Sequence, residues 1–247
     1  MRTVSYIDYL QREGELLAAA ADKAGELTPV PTCPGWTTGD LVRHTSTFHR
    51  WAARIVAERL PGPVPEDPMP DEPTGAGLLP WFRDGHGHLV RTLRTAGPET
   101  DCWAFMPAAS PLTFWARRQA HETAVHRVDA ESARGGELTP LDPDFAADGI
   151  DELLTGFHAR PKSRVRAQRP RILRVRPSDA AAAWTVRLSP DAPPRTERSA
   201  DGQADCELAG RAQDLYLMLW NRLPLTAATI TGDAALAALW RETSQIT

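Results

Sequence analysis

Apolar residues return at steps of three or four through most of the N-terminal half, the period of helices with one buried face. Tyr6, Leu10, Leu17, Ala20, Ala24 and Leu27 do so, with Glu13 on the same line, and predict a first helix over residues 4–27. The turn that follows holds Pro29, Pro31 and Pro34. Thr37, followed three residues on by Asp40, has the form of a capping box and opens a second helix. Its stripe is Leu41, Phe48, Trp51 and Ile55, and His44 stands on that stripe where an apolar residue is expected. His49 falls off the stripe and is expected in solvent. Residues 60–74, rich in Pro, Asp and Glu, read as a loop. A third helix is predicted over 78–96, with Leu79, Phe82, His86, Leu89 and Leu93 on one side and Gly85 and Gly87 weakening its middle. A fourth covers 113–134 and ends at Gly135-Gly136. Four helices with long connections predict an antiparallel bundle, a fold that builds metal sites from inward-pointing side chains.

The pattern changes after Gly136. A fifth helix is expected over 144–158. Strands are expected at 172–175, at 184–188, within 195–208 with a break at Asp201-Gly202, and at 228–231. Helices follow at 211–223 and 234–243. The fold class is therefore α+β, with a bundle over residues 1–158 and a small α/β domain over 159–247. Residues 160–176 carry eight basic side chains. The alternation of Lys162, Arg164 and Arg166 reads as the wet face of a charged edge strand. No aromatic residues interleave with them to stack bases.

Composition narrows the classes. The 247 residues are 42% hydrophobic, enough for a real core, and the formal net charge of −4 gives no reason to expect nucleic acid as a partner. Cys33, Cys102 and Cys206 are too widely spaced for a disulfide framework or a CxxC metal site. The first residues, MRTVSYIDYLQREGELL, lack a basic-then-apolar signal pattern, and no apolar run approaches the ~20 residues a membrane span needs. The expectation is a reduced, cytoplasmic protein with no membrane partner. No P-loop and no GxGxxG before a helix supports nucleotide chemistry.

The candidate chemistry lies in residues 117–131, RRQAHETAVHRVDAE. At ~100° per residue, Glu122 and His126 leave one face of the helix only ~40° apart. His121 and His126 are five apart, ~140° around the helix, so the zinc-protease HExxH pattern does not apply. A carboxylate and an imidazole on adjacent turns can share one metal ion if a third ligand comes from elsewhere. His44 is the best candidate. The metal set is thus His44, Glu122 and His126, with a coordination position left open. His86, on the apolar face of its helix, competes as a ligand but reads first as a core or supporting group, and His121 reads as structural. Asp129 continues the same face and either orients a ligand or pairs with Arg127 or Arg222. Cys33 reads as a packed loop residue rather than a reactive thiol. Trp36, Trp51, Trp103 and Trp115 read as core.

Cys33-Pro34-Gly35-Trp36-Thr37, leading into Asp40-Leu41 and His44, and then His121-Glu122 through Val125-His126-Arg127-Val128-Asp129-Ala130, resemble the mycothiol-dependent maleylpyruvate isomerase family. Leu219-Trp220-Asn221-Arg222 and Ile230-Thr231-Gly232-Asp233 resemble its C-terminal domain. The resemblance spans nearly the whole chain and implies a DinB-like four-helix bundle followed by a small α/β domain. It places the family's metal ligands on His44, Glu122 and His126. It places the family's C-terminal arginine on Arg222, as a catalytic and cofactor-binding group, with Asn221 where many relatives have glycine. It implies a divalent metal, zinc first, and mycothiol as cofactors. A thiolate made at the metal would add to an electron-poor double bond, permit rotation and leave, which is cis–trans isomerisation; adding and staying would be thiol transfer. The implied partners are a small-molecule thiol and an electrophilic, maleylpyruvate-like substrate, with the chain a monomer or weak homo-oligomer. The alternative is a bundle that binds metal or a small ligand without catalysis. A metal hydrolase would need a general base, and Glu122 is already used as a ligand.

Overall fold

The structure, a computed structural model, describes residues 1–64 and 73–246. It divides into two compact units, Met1–Thr139 and Pro140–Thr247. The inner part of the loop expected at 60–74 lies outside the described residues.

The first unit is a bundle of α1 (Thr3–Ala24), α2 (Thr38–Ala57), α3 (Leu78–Thr95) and α4 (Pro111–Arg134). The apolar line of α1 is buried as its spacing predicts, through Tyr6, Leu10 and Leu17, but Leu27 lies past the helix end and is exposed. The capping box at the start of α2 is present. The Asp40 amide donates to Thr37 Oγ1 at 3.2 Å, and the Thr37 amide donates to Asp40 Oδ2 at 2.9 Å. The Thr37 hydroxyl and amide, with Arg43, hold the Asp40 carboxyl down at about 2.

α4 is the central element. From Arg118 to Glu131 nearly every side chain is buried, polar ones included. Arg127, fully buried, donates from Nε to Glu13 Oε2 at 2.8 Å and from Nη1 to Glu131 Oε2 at 2.6 Å and the Thr139 carbonyl at 2.8 Å. That guanidinium ties α4 to α1 and to the chain beyond its own end. α3 approaches its neighbours through small residues. A Cβ on Gly14 would stand 2.2 Å from the His86 imidazole, and one on Gly85 would overlap the Arg50 guanidinium. Gly85 therefore serves close packing rather than breaking the helix.

His49 is a correction to the sequence reading. It is fully buried, not solvated, because α2 packs against both α3 and α4 and so buries two faces. Thr123 Oγ1 gives its own proton to the Gln119 carbonyl at 2.7 Å, so His49 Nε2 donates to it at 2.9 Å. Burial, then the neighbouring His86, holds the His49 imidazole well below its usual range. His44, Phe48 and Trp51 stand at the half-buried rim instead.

The second unit starts with α5 (Pro143–Asp151), capped by Asp142 and continued by a π-helical stretch, Glu152–Phe157. α5 packs on α6 (Ala212–Leu219). The fifth helix, which the expected boundary at 158/159 places with the bundle, thus lies in the second unit, and the units part at Thr139/Pro140. Five strands follow: β1 (Arg171–Pro177), β2 (Trp184–Leu188), β3 (Arg195–Glu197), β4 (Cys206–Gly210) and β5 (Thr229–Gly232). Their order is β3-β2-β1-β4-β5, with β1 and β4 parallel and the other pairs antiparallel. Leu173, Val175, Trp184, Val186, Cys206 and Leu208 are all buried, and α6 and α7 (Ala234–Thr243) pack against β4.

Residues 161–170 form no strand, contrary to the edge strand expected from their alternating charge. Pro161 and Pro170 remove backbone donors at both ends. Val165 and Ala167 are buried, and the Arg166 guanidinium bonds the carbonyls of Ser163 and Val165 at 3.0 and 2.8 Å. Farther on, Arg171 pairs with Asp205 and Asp233, and Arg176 with Glu207, so several charges of the basic run are neutralised within the unit.

Candidate metal centre

Glu122 and His126 project one turn apart from α4, and His44 faces them from α2. Glu122 Oε1 is 3.1 Å from His126 Nε2 and 3.6 Å from His44 Nε2. One ligand atom from each of the three residues lies within 4.8 Å of the others. Donors bound at about 2.0–2.1 Å to a tetrahedral ion stand roughly 3.3 Å apart, so this spacing suits a divalent metal. His44 and Glu122 keep side-chain exposures of 28% and 20%, so the set opens on one side, while His126 is 9% exposed.

Each ligand is supported. Arg118, also on α4 and nearly buried, donates from Nη2 to Glu122 Oε2 at 2.8 Å, leaving Oε1 to face the imidazoles. His126 Nδ1 is 2.9 Å from Asp129 Oδ2, so the ring presents Nε2 to the site. Asp129 is fully buried and accepts from Thr32 Oγ1 at 2.6 Å and Cys33 Sγ at 3.3 Å. The Trp36 ring lies 4.8 Å from the His44 ring and 6.3 Å from that of His126, centroid to centroid, and the Phe48 ring lies 4.6 Å from that of His44.

The electrostatics follow from this arrangement. Burial alone would raise the Glu122 carboxyl; hydrogen bonds from His126 and His44, with the charges of His126 and Arg118, outweigh it and hold the group well below the usual range. Burial alone would lower His126; Asp129 and then Glu122 outweigh it and push the imidazole up to about 9. A pair so charged is an anionic oxygen facing a proton that a metal cation can replace.

The sequence-derived set His44, Glu122 and His126 thus converges. His86 does not join it: its Nε2 is 3.0 Å from the Leu10 carbonyl, and its ring stacks on Phe82. His121 is buried edge-on to Tyr6. Trp115 is core, whereas Trp36 stands against two of the imidazoles. Arg118 escaped the sequence reading, although its place four residues before Glu122 on the same helix face could have shown it. Thr32 gave no signal, because only the folded loop brings it to Asp129. Arg222 lies in the second unit, where its Nη1 donates to the Trp220 carbonyl at 2.9 Å. Asn221 before it has φ of 62°, a left-handed conformation that Asn tolerates and glycine adopts freely. That accounts for either residue at this position.

Two family models match the chain. The mycothiol maleylpyruvate isomerase N-terminal domain covers residues 9–131, and the C-terminal domain of the same family covers 144–239. The chain belongs to the mycothiol-dependent maleylpyruvate isomerase family. Both family domains fall within the compact units described above. Among solved structures, the chain resembles a crystal structure of the mycothiol-dependent maleylpyruvate isomerase, with a TM-score of 0.62, and that of a mutant of it, with a TM-score of 0.65. Each shares 12% identity, and each match covers 94% of this chain and 93% of the other. The likeness to this family's fold therefore spans both units. Comparison with curated proteins gives no match. Among the described residues, no helix is long and apolar enough to cross a membrane.

Proposed function

We propose that this chain is a divalent-metal-dependent enzyme that uses a small thiol, mycothiol, to isomerise or modify a small electrophilic substrate of the maleylpyruvate kind. The observation that carries the reading is the convergence of His44, Glu122 and His126 on one half-open point, in a chain matched along most of its length by this family's two domains. When bound, a divalent ion would supply the charge that keeps a thiol ionised at neutral pH. The chain's own residues do the rest. Nε2 of both histidines and Oε1 of Glu122 would hold the ion, and zinc suits two imidazoles with one carboxylate. Arg118 keeps the second carboxylate oxygen occupied, which limits Glu122 to one oxygen at the site. Trp36 and Phe48 shield the imidazoles and exclude water beside them.

Arg222 is assigned the recognition of a substrate or cofactor carboxylate, a task suited to the planar guanidinium. The resemblance of Leu219-Trp220-Asn221-Arg222 to the family pattern supports that role.

The test is turnover of maleylpyruvate by the zinc-loaded protein with and without mycothiol. The reading expects thiol-dependent isomerisation, lost in His44→Ala and reduced at least tenfold in kcat/KM in Arg222→Ala. A metal-loaded wild type that neither binds mycothiol nor consumes the substrate would mark a non-catalytic metal-binding bundle instead.

A further inference from the structure

The Cys33-Pro34-Gly35-Trp36 motif holds none of the three ligands, yet it meets the metal set at two points. The Trp36 amide donates to the Cys33 carbonyl at 3.0 Å, with Pro34 and Gly35 between them and Gly35 at φ of 88°. A type II turn requires positive φ at its third position, which Gly35 supplies, and favours proline at its second. The Val30 amide donates to the Trp36 carbonyl at 2.9 Å, and the Cys33 amide to the Val30 carbonyl at 3.1 Å. A bridge between Pro29 and Thr37 closes the base of the loop. The loop is thus tied to itself and then to the capped start of α2, the helix that carries His44.

From this turn, Thr32 Oγ1 and Cys33 Sγ reach Asp129 at 2.6 and 3.3 Å. Asp129 has no exposed surface, and a buried carboxylate persists only where donors satisfy it. His126 Nδ1 is a further donor to it. The Trp36 ring, from the other end of the same turn, rests against the imidazoles of His44 and His126.

We infer that the turn at residues 32–36 is the positioning element of the metal centre: it holds Asp129, and through Asp129 it holds His126 with Nε2 facing Glu122 and His44. The inference rests on the metal site proposed above. Asp129, Thr32 and Cys33 are positioning residues, since they act on His126 through Nδ1, the nitrogen that is not turned to Glu122. The residue types suit the task. Thr and Cys are small donors that fit beneath the helix, Pro and Gly set the turn, and Trp covers the rings. Partners of a ligating histidine's second nitrogen typically govern metal affinity by 10–100-fold.

The experiment is a zinc titration of the full chain against a chelator of known affinity, with thermal unfolding of the metal-free form recorded for each variant. Asp129→Asn is expected to weaken zinc binding by roughly 10–100-fold while remaining folded. Its side-chain amide can turn an N–H towards His126 Nδ1, which favours the wrong tautomer. The pair Thr32→Val with Cys33→Ala, which leaves Asp129 intact, is expected to weaken zinc by roughly tenfold. Thr32→Ser with Cys33→Ser, which restores both donors, should recover most of the affinity. A merely structural turn would lower the melting temperature without this pattern of loss and rescue. If Asp129→Asn does not fold, the donor pair and its rescue decide the matter. Folded variants that hold zinc as tightly as wild type would overturn the inference and leave the metal site standing. A wild type that takes up no divalent ion would overturn both.

Discussion

His126 is held between two carboxylates, and the consequence can be read from its protonation. Its folded value of about 9 lies above the ordinary 6.5. A group raised in the folded state contributes stability that is complete below the unfolded value and lost as pH rises through the folded one. The metal-free protein should therefore lose thermal stability between about pH 6.5 and 9. His126→Gln, which cannot titrate, should remove most of that slope. Equal slopes for wild type and variant, recorded by calorimetry in the presence of a chelator, would contradict the charge assignment. Bound zinc competes with the same proton, so zinc affinity should rise across this pH interval.

At the scale of elements, α4 governs the first unit. Arg127 is the only cation bonded to both Glu13 and Glu131 among the described contacts, and all three are buried. Arg127→Met would strip this cation from the buried Glu13 carboxylate and leave Glu131 only Arg134, at 3.8 Å, and the Thr139 donors; it should cost roughly 3–5 kcal/mol in urea unfolding. Gly14→Ala would push a methyl into the His86 imidazole, and overpacking of this kind costs about 1–3 kcal/mol. A wild-type midpoint in either variant would show that the helices can part without penalty.

The same helices show what the sequence makes legible. The capping box at Thr37, the stripe of α1 and the pairing of Glu122 with His126 are local patterns, and each is present in the fold. His49 is not legible from one stripe, which presumes one buried face, whereas α2 packs against both α3 and α4. In residues 161–170 the charge alternation has the period of a strand, but Pro161 and Pro170 remove the backbone donors at its ends. Thr32 at Asp129 is a contact across 97 residues, which no local pattern encodes. α5 lies in the second unit because its partner, α6, comes some sixty residues later in the chain, beyond the reach of periodicity.

For the whole molecule, the two compact units coincide with the two family domains, and the first unit contains all three proposed ligands together with Arg118, Asp129 and the turn that supports them. Arg222 belongs to the other unit; in the role proposed for it, its loss should leave metal binding unchanged while lowering turnover, a separation that calorimetric zinc titration and steady-state kinetics would register. The central claim is the metal centre itself. Its most direct test is the metal content of the purified full chain, loaded with zinc and dialysed, for wild type, His44→Ala and Glu122→Ala. The account predicts about one equivalent in wild type and a near-complete loss in both variants, with all three proteins folded. A wild type without metal, or variants that keep the full equivalent, would contradict it.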